Sequence, residues 1–141
     1  MRILVALDGS PSAPKVLEAA GRLARLTGAK LVLFRAITVA TDLPEEVLIR
    51  GELRLEDVLR ARAHDELERL AAGIDPALIE QIVVELAVPW DGICRAARQR
   101  DVDLIAIGSH GYGALDRILG TTAAKVVNHA DRNVLVVRTV L

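Results

Sequence analysis

Aromatic side chains are nearly absent from this sequence: one Phe, one Trp and one Tyr make up 2% of 141 residues, beside 52% hydrophobic residues. Phe34, Trp90 and Tyr112 cannot furnish the row of stacking platforms on which single-stranded nucleic acid lies. An excess of one charge is also lacking. Lys and Arg number 18 against 19 Asp and Glu, so the formal net charge is -1 and there is no basic footprint for a phosphate backbone. Cysteine is reduced to Cys94, which excludes an internal disulfide and agrees with a reducing compartment. Long apolar runs are missing despite a mean hydropathy of +0.33. Residues 3–7 and 134–137 are the type, far short of the ~18 apolar residues a membrane span requires. Met1-Arg2, five apolar residues and then Asp8 also fall short of a signal peptide's apolar segment of about 7 to 15 residues. A cytoplasmic protein with neither a membrane nor a nucleic-acid partner is expected.

What is present is an alternation of short apolar runs with helical periodicity. Residues 3–7 read as a strand buried on both faces of a parallel sheet, followed by the loop Asp8-Gly9-Ser10-Pro11-Ser12 with Ser12 placed to cap a helix. Val16, Ala19, Ala20, Leu23 and Leu26 recur at helical spacing until Gly28 closes the helix. Residues 31–36 read as a second strand and residues 37–51, with Pro44, as an irregular excursion. Leu55, Leu59, Ala63, Leu67 and Leu70 then stripe a long helix that ends at Gly73. Strands over 82–88, 104–107 and 134–137 and helices over 91–100 and 120–130 complete the pattern. Five strands joined by helical connections predict one α/β domain spanning 1–141, a five-stranded parallel sheet with helices on both faces.

Ligands in such sheets bind beyond the carboxyl ends of the strands. Two loops there carry suitable chemistry. After the fourth strand stand Gly108, Ser109, His110, Gly111, Tyr112 and Gly113, and Gly120-Thr121-Thr122 opens the last helix. Glycines let main-chain N–H groups approach an anion, and a helix N-terminus adds donors and a favourable dipole. The hydroxyls of Ser109, Thr121 and Thr122 would complete a phosphate shell. Neither common fingerprint fits: a P-loop would have Lys where Thr121 stands, and a dinucleotide fingerprint would follow the first strand, where Gly9 is alone. The alternative is that the glycines only shape a connection and Thr121 only caps a helix. Asp8 would accept from a ribose or an adenine amine, or merely form an Asx turn. His110 would reach a bound phosphate or point to solvent. His64 and His129 share no metal-ligand spacing with it or with Cys94, which reads as a core residue, and no G-x-S-x-G elbow occurs. No catalytic residue and no metal ligand is assigned.

The last strand, Val134, Leu135, Val136 and Val137, is apolar with no helix after it. It predicts a sheet edge covered by a second copy, unless the strand simply stays short with its side chains under its own helices.

Residues 3–10 (ILVALDGS), 103–111 (DLIAIGSHG), 120–127 (GTTAAKVV) and 133–137 (NVLVV), in that order over the whole chain, resemble the universal stress protein family. The resemblance implies a Rossmann-like sheet akin to the adenine nucleotide alpha hydrolases, in strand order 3-2-1-4-5, and a homodimer paired through the last strands. Nucleotide-binding members resemble one another in a G-x2-G-x9-G-[ST] motif. Here Gly108 and Gly111 match, but only the eight residues 112–119 precede Gly120-Thr121, one fewer than the pattern. The resemblance then implies ATP, with or without Mg2+, as ligand. Asp8 would meet the nucleoside, the backbone near Ala36 the adenine, and Gly108, Gly111, Gly120, Thr121 and Thr122 the phosphates. A dimeric ATP-binding stress-response regulator is the function implied; the alternatives are a nucleotide-free structural dimer and a slow ATP hydrolase. Because all three aromatic residues fall toward the ligand edge, the core is expected to do without them. Adenine would rest on aliphatic side chains and backbone, with Tyr112 as a shield.

Overall fold

The first strand decides the architecture. In a computed structural model of the chain, which describes residues 1–38, 52–110 and 119–139, β1 (Arg2–Ala6) has strand neighbours on both sides. Ile3, Leu4 and Val5 are wholly inaccessible to solvent. Side chains alternate across a strand, so Ile3 and Val5 enter one apolar cluster and Leu4 and Ala6 another. A run that is apolar at every position is therefore what a strand covered by helices on both faces requires.

The other elements follow as α1 (Ala13–Thr27), β2 (Lys30–Ile37), α2 (Glu52–Ala71), a 3-10 turn (Pro76–Leu78), β3 (Ile79–Leu86), α3 (Pro89–Gln99), β4 (Leu104–Gly108), α4 (Thr121–His129) and β5 (Asn133–Val137). All the pairings are parallel and the order is β3-β2-β1-β4-β5, as expected. Helices α1 and α2 cover one face and α3 and α4 the other.

Local chemistry explains most boundaries. Gly28 ends α1 in the left-handed region at φ 76 and donates its N–H to Ala24 O. On α2, Leu55, Leu59, Ala63 and Leu67 are buried, while Arg60 and Glu56 pair one turn apart. Helix α3 begins with Pro89 in its first turn rather than at Asp91, since proline's missing N–H costs nothing there. Strand β3 begins at Ile79, three residues before the expected start. It is an edge strand, where Glu80 and Gln81 remain exposed without burying a polar group. Ser12 does occupy the position before α1, but its side chain makes no capping bond. The excursion expected over 37–51 lies outside the described residues from 39 onward.

One expectation about the core is overturned. Phe34 is completely buried and is the largest fully buried side chain. Its neighbours in the α3/α4 layer are Leu4, Val32, Ile93 and Ala97. On the central pair β1–β2 there is no solvent-facing side to which a ring could be relegated, so the core uses the aromatic it has. Trp90 packs partly buried against the same layer, with His129 4.6 Å away between ring centroids. Tyr112 lies outside the described residues. Among the described residues no helix is long and apolar enough to cross a membrane.

Candidate functional site

A cavity of about 410 Å3 opens at the carboxyl ends of β1, β2 and β4. Its walls bring together residues far apart along the chain: Asp8 and Ala36 on one side, and Gly108, His110, Gly120, Thr121 and Thr122 on the other. Seven of the nine residues expected to hold a nucleotide thus share one cavity. Gly111 and Gly113 lie outside the described residues.

Asp8 follows β1 and forms the Asx turn that was its simpler reading. Its Oδ1 accepts from the Ser10 amide at 3.0 Å and from the Ser10 hydroxyl at 2.6 Å. The Ser10 oxygen accepts in turn from the Ser12 amide at 3.3 Å. The turn uses Oδ1 alone and holds the residue at the cavity wall, so it does not exclude the other reading.

The opposite wall is a floor of backbone. Helix α4 begins after Gly120, whose carbonyl accepts from Ala124 N at 2.9 Å. Thr121, Thr122 and Ala123 form the first turn of α4, where a helix's N–H groups are not taken up by carbonyls of the helix itself. Gly120 is the N-cap, so Thr121 does not cap the helix and its hydroxyl makes no capping bond. A side chain at Gly120 would place its Cβ 3.2 Å from Ser109 O and 3.5 Å from His110 Cα. The close approach of α4 to the β4 loop leaves little room for a side chain at that position.

His110 does not point to solvent. It is buried in the cavity wall, with Nδ1 3.2 Å from Ser109 Oγ. It and Asp8 are the titratable groups among the described lining residues.

Phe34, expected toward the ligand edge, lines the cavity from β2, while sequence reasoning missed the rest of this wall: Pro89 and Ile93 from α3, and Ser12, Ala13 and Val16 from the start of α1. The rule that pointed to the loops after β1 and β4 applies equally after β3, and would have found Pro89 and Ile93.

Outside the cavity, Cys94 is buried and its thiol is pushed up from its ordinary value mainly by that burial, as suits a core residue. His64, Asp65 and Glu68 bring three ligand-type atoms within 4.8 Å of one another on α2. Two are exposed carboxylates and His64 faces Glu68 at 3.4 Å, an ordinary pair one turn apart on a solvated helix.

A parallel sheet in this order, with a cleft over the carboxyl ends of its central strands, defines a Rossmann-like protein. The family model of the universal stress protein family matches residues 1–138. The chain belongs to the universal stress protein family. Universal stress protein A homolog 2 of Coxiella burnetii (strain RSA 493 / Nine Mile phase I) is 30% identical over 138 residues, covering 97% of this chain and 94% of that protein. Among solved structures, universal stress protein UspA from Lactobacillus plantarum superposes with a TM-score of 0.77 at 26% identity, over 98% of this chain and 97% of its own. A universal stress protein in complex with cAMP has the same fold, with a TM-score of 0.66 at 24% identity over 99% of this chain and 97% of that one.

Proposed function

We propose that this protein is a dimeric, cytoplasmic, ATP-binding regulator of a stress response, with the nucleotide in the cavity between Asp8 and the start of α4. The observation that carries the reading is the convergence of Asp8, Ala36, His110, Gly120, Thr121 and Thr122 on one cavity. A relative of the same fold holds cAMP, and ATP shares its adenosine moiety and a phosphate. The size also suits: small-molecule pockets run from about 300 to 1,000 Å3. In this reading the backbone of β2 near Ala36 meets the adenine, Phe34 and Ile93 supply apolar surface, and Asp8 Oδ2 accepts from a ribose hydroxyl. The first-turn amides of α4 and the Thr121 and Thr122 hydroxyls hold phosphate. Mg2+ would enter with the phosphates, for which those two hydroxyls are suitable oxygen donors. The dimer forms through β5, whose outer edge has no partner strand among the described residues.

Protein purified without denaturation, then denatured and analysed by mass spectrometry, should release ATP or ADP. Calorimetry with ATP and magnesium should give a binding heat that Gly120→Val abolishes while circular dichroism stays native. Absence of nucleotide in the first measurement and of any such heat in the second would leave a structural dimer as the better account.

A further inference from the structure

We propose that Thr139, beyond the end of β5, is a positioning residue for the phosphate side of the cavity, so that the segment after β5 and a bound nucleotide order one another. The inference rests on the nucleotide reading above and assigns a role to a residue that does not line the cavity.

Three groups of Thr139 meet three consecutive residues of the β4 loop. Its amide donates to Ser109 Oγ at 3.0 Å. Its hydroxyl donates to His110 O at 3.2 Å. Its methyl lies 3.4 Å from where a Cβ on Gly108 would stand. Ser109, which receives the first of these bonds, is wholly buried and joins three segments of chain. Its amide donates to Val137 O at 2.8 Å, and its carbonyl accepts from Gly120 N at 2.7 Å.

The hydroxyl hydrogens show why Thr139 matters more than its distance from the cavity suggests. Each hydroxyl has a single hydrogen and two lone pairs. Thr139 spends its hydrogen on His110 O. Ser109 Oγ, already accepting from the Thr139 amide, lies 3.2 Å from both Thr139 Oγ1 and His110 Nδ1 and can donate to either. The circuit therefore fixes two things at once: the His110 imidazole, through Ser109, and the His110 carbonyl directly. Holding that carbonyl and the ring together restrains His110, which lines the cavity. Without the Thr139 hydroxyl, the His110 carbonyl loses this donor and Ser109 Oγ loses one of its neighbours, so His110 meets the phosphate with more freedom to lose. Coupling of this kind is reciprocal: whatever the Thr139 contacts add to nucleotide affinity, nucleotide adds to the order of Thr139.

The test compares the full chain with Thr139→Val, which keeps the branched shape and removes the hydroxyl, and with Thr139→Ser, which restores the hydroxyl without the methyl. ATP with magnesium is titrated calorimetrically at a temperature where circular dichroism shows each protein folded. Thr139→Val should bind about tenfold more weakly, the size of one buried hydrogen bond and its consequences, and Thr139→Ser within about twofold of the parent. Adding ATP to the unsubstituted protein should slow hydrogen exchange at the Thr139 amide. If the unsubstituted protein binds and Thr139→Val binds equally well, with only its thermal midpoint lowered, Thr139 is merely structural and the proposal fails while the nucleotide reading stands. If the unsubstituted protein does not bind, the nucleotide reading itself falls and takes the proposal with it. Should Thr139→Val not fold, the exchange measurement decides: an amide at 139 that ATP leaves unchanged overturns the proposal.

Discussion

Asp8 receives both hydrogen bonds offered by Ser10 on a single oxygen, from the amide at 3.0 Å and from the hydroxyl at 2.6 Å. The two roles of the carboxylate can therefore be separated by substitution. Asp8→Asn keeps an oxygen for the turn and should leave the denaturation midpoint nearly unchanged while weakening ATP affinity. Asp8→Ala removes both bonds and should also lower stability by about 1–2 kcal/mol. Urea denaturation and calorimetry on the two variants check this, and equal stability losses would refute the separation.

Gly92 sets how closely α3 approaches the connection that leads into it from β3. A Cβ there would stand 2.8 Å from Ala87 Cβ and 3.5 Å from Phe34 Cζ, neither of which is a yielding side-chain tip. Gly92→Ala should cost about 1–3 kcal/mol through overpacking. Because Pro89 and Ile93 of the same helix line the cavity, nucleotide affinity should fall with it. A variant with unchanged stability would show that α3 can shift freely.

Arg132 closes the far end of the same helix. Its Nη1 donates to Ala97 O and Val102 O, both at 2.9 Å, with the side chain only 16% exposed. Arg132→Ala removes both bonds, leaving Ala97 O with only the Val102 amide at 3.2 Å, and should lose about 1–3 kcal/mol in chemical denaturation. Lysine, a point donor without the planar fork, should recover only part of it.

The Asp131 carboxyl is held below its ordinary value of 3.8, chiefly by hydrogen bonds from the Arg132 side chain. A depressed folded value means that its contribution is present above the unfolded value and is lost as pH falls through the lower folded one. The stability gap between the parent and Asp131→Asn should accordingly be constant above about pH 5 and close as pH drops below the ordinary carboxylate range. The group is exposed, so the gap should be small and shrink with salt. Urea midpoints between pH 6 and about pH 2 measure it.

Leu135 is the better probe of the proposed dimer than its neighbours. Val134 and Val136 pack against the α3/α4 layer, so a charge there would harm the fold as well, whereas Leu135 is exposed. Leu135→Lys should move the mass seen by light scattering toward the monomer without lowering the unfolding midpoint of the isolated chain. An unchanged mass would place the interface elsewhere.

Much of the fold was legible because burial imposes simple patterns. Residues 3–7 and 104–107 are apolar at nearly every position, which only a doubly covered strand tolerates, and Gly28 marks a helix end by the backbone angle it adopts. Strand β3 was misplaced by three residues because its outer edge is uncovered. Glu80 and Gln81 sit there without penalty and break the apolar run from which a strand is read. In the site, glycines and hydroxyls after β4 announced themselves by type. Ile93, Thr139 and the burial of Phe34 did not, since nothing about an isolated Ile, Thr or Phe distinguishes a cavity, latch or core position.

The sequence by itself determined the parallel α/β architecture and the two loops that meet at the cavity, because hydrophobic period and turn residues act locally and these strands can bury both faces in few other ways. Tertiary structure alone decided which partners those loops acquire. The burial of Phe34 beneath α3, the inward turn of His110 and the clasp of Thr139 on Ser109 all depend on contacts between segments distant along the chain. Such contacts are set by packing and by the need to satisfy buried polar groups, and neither is written in the spacing of residues.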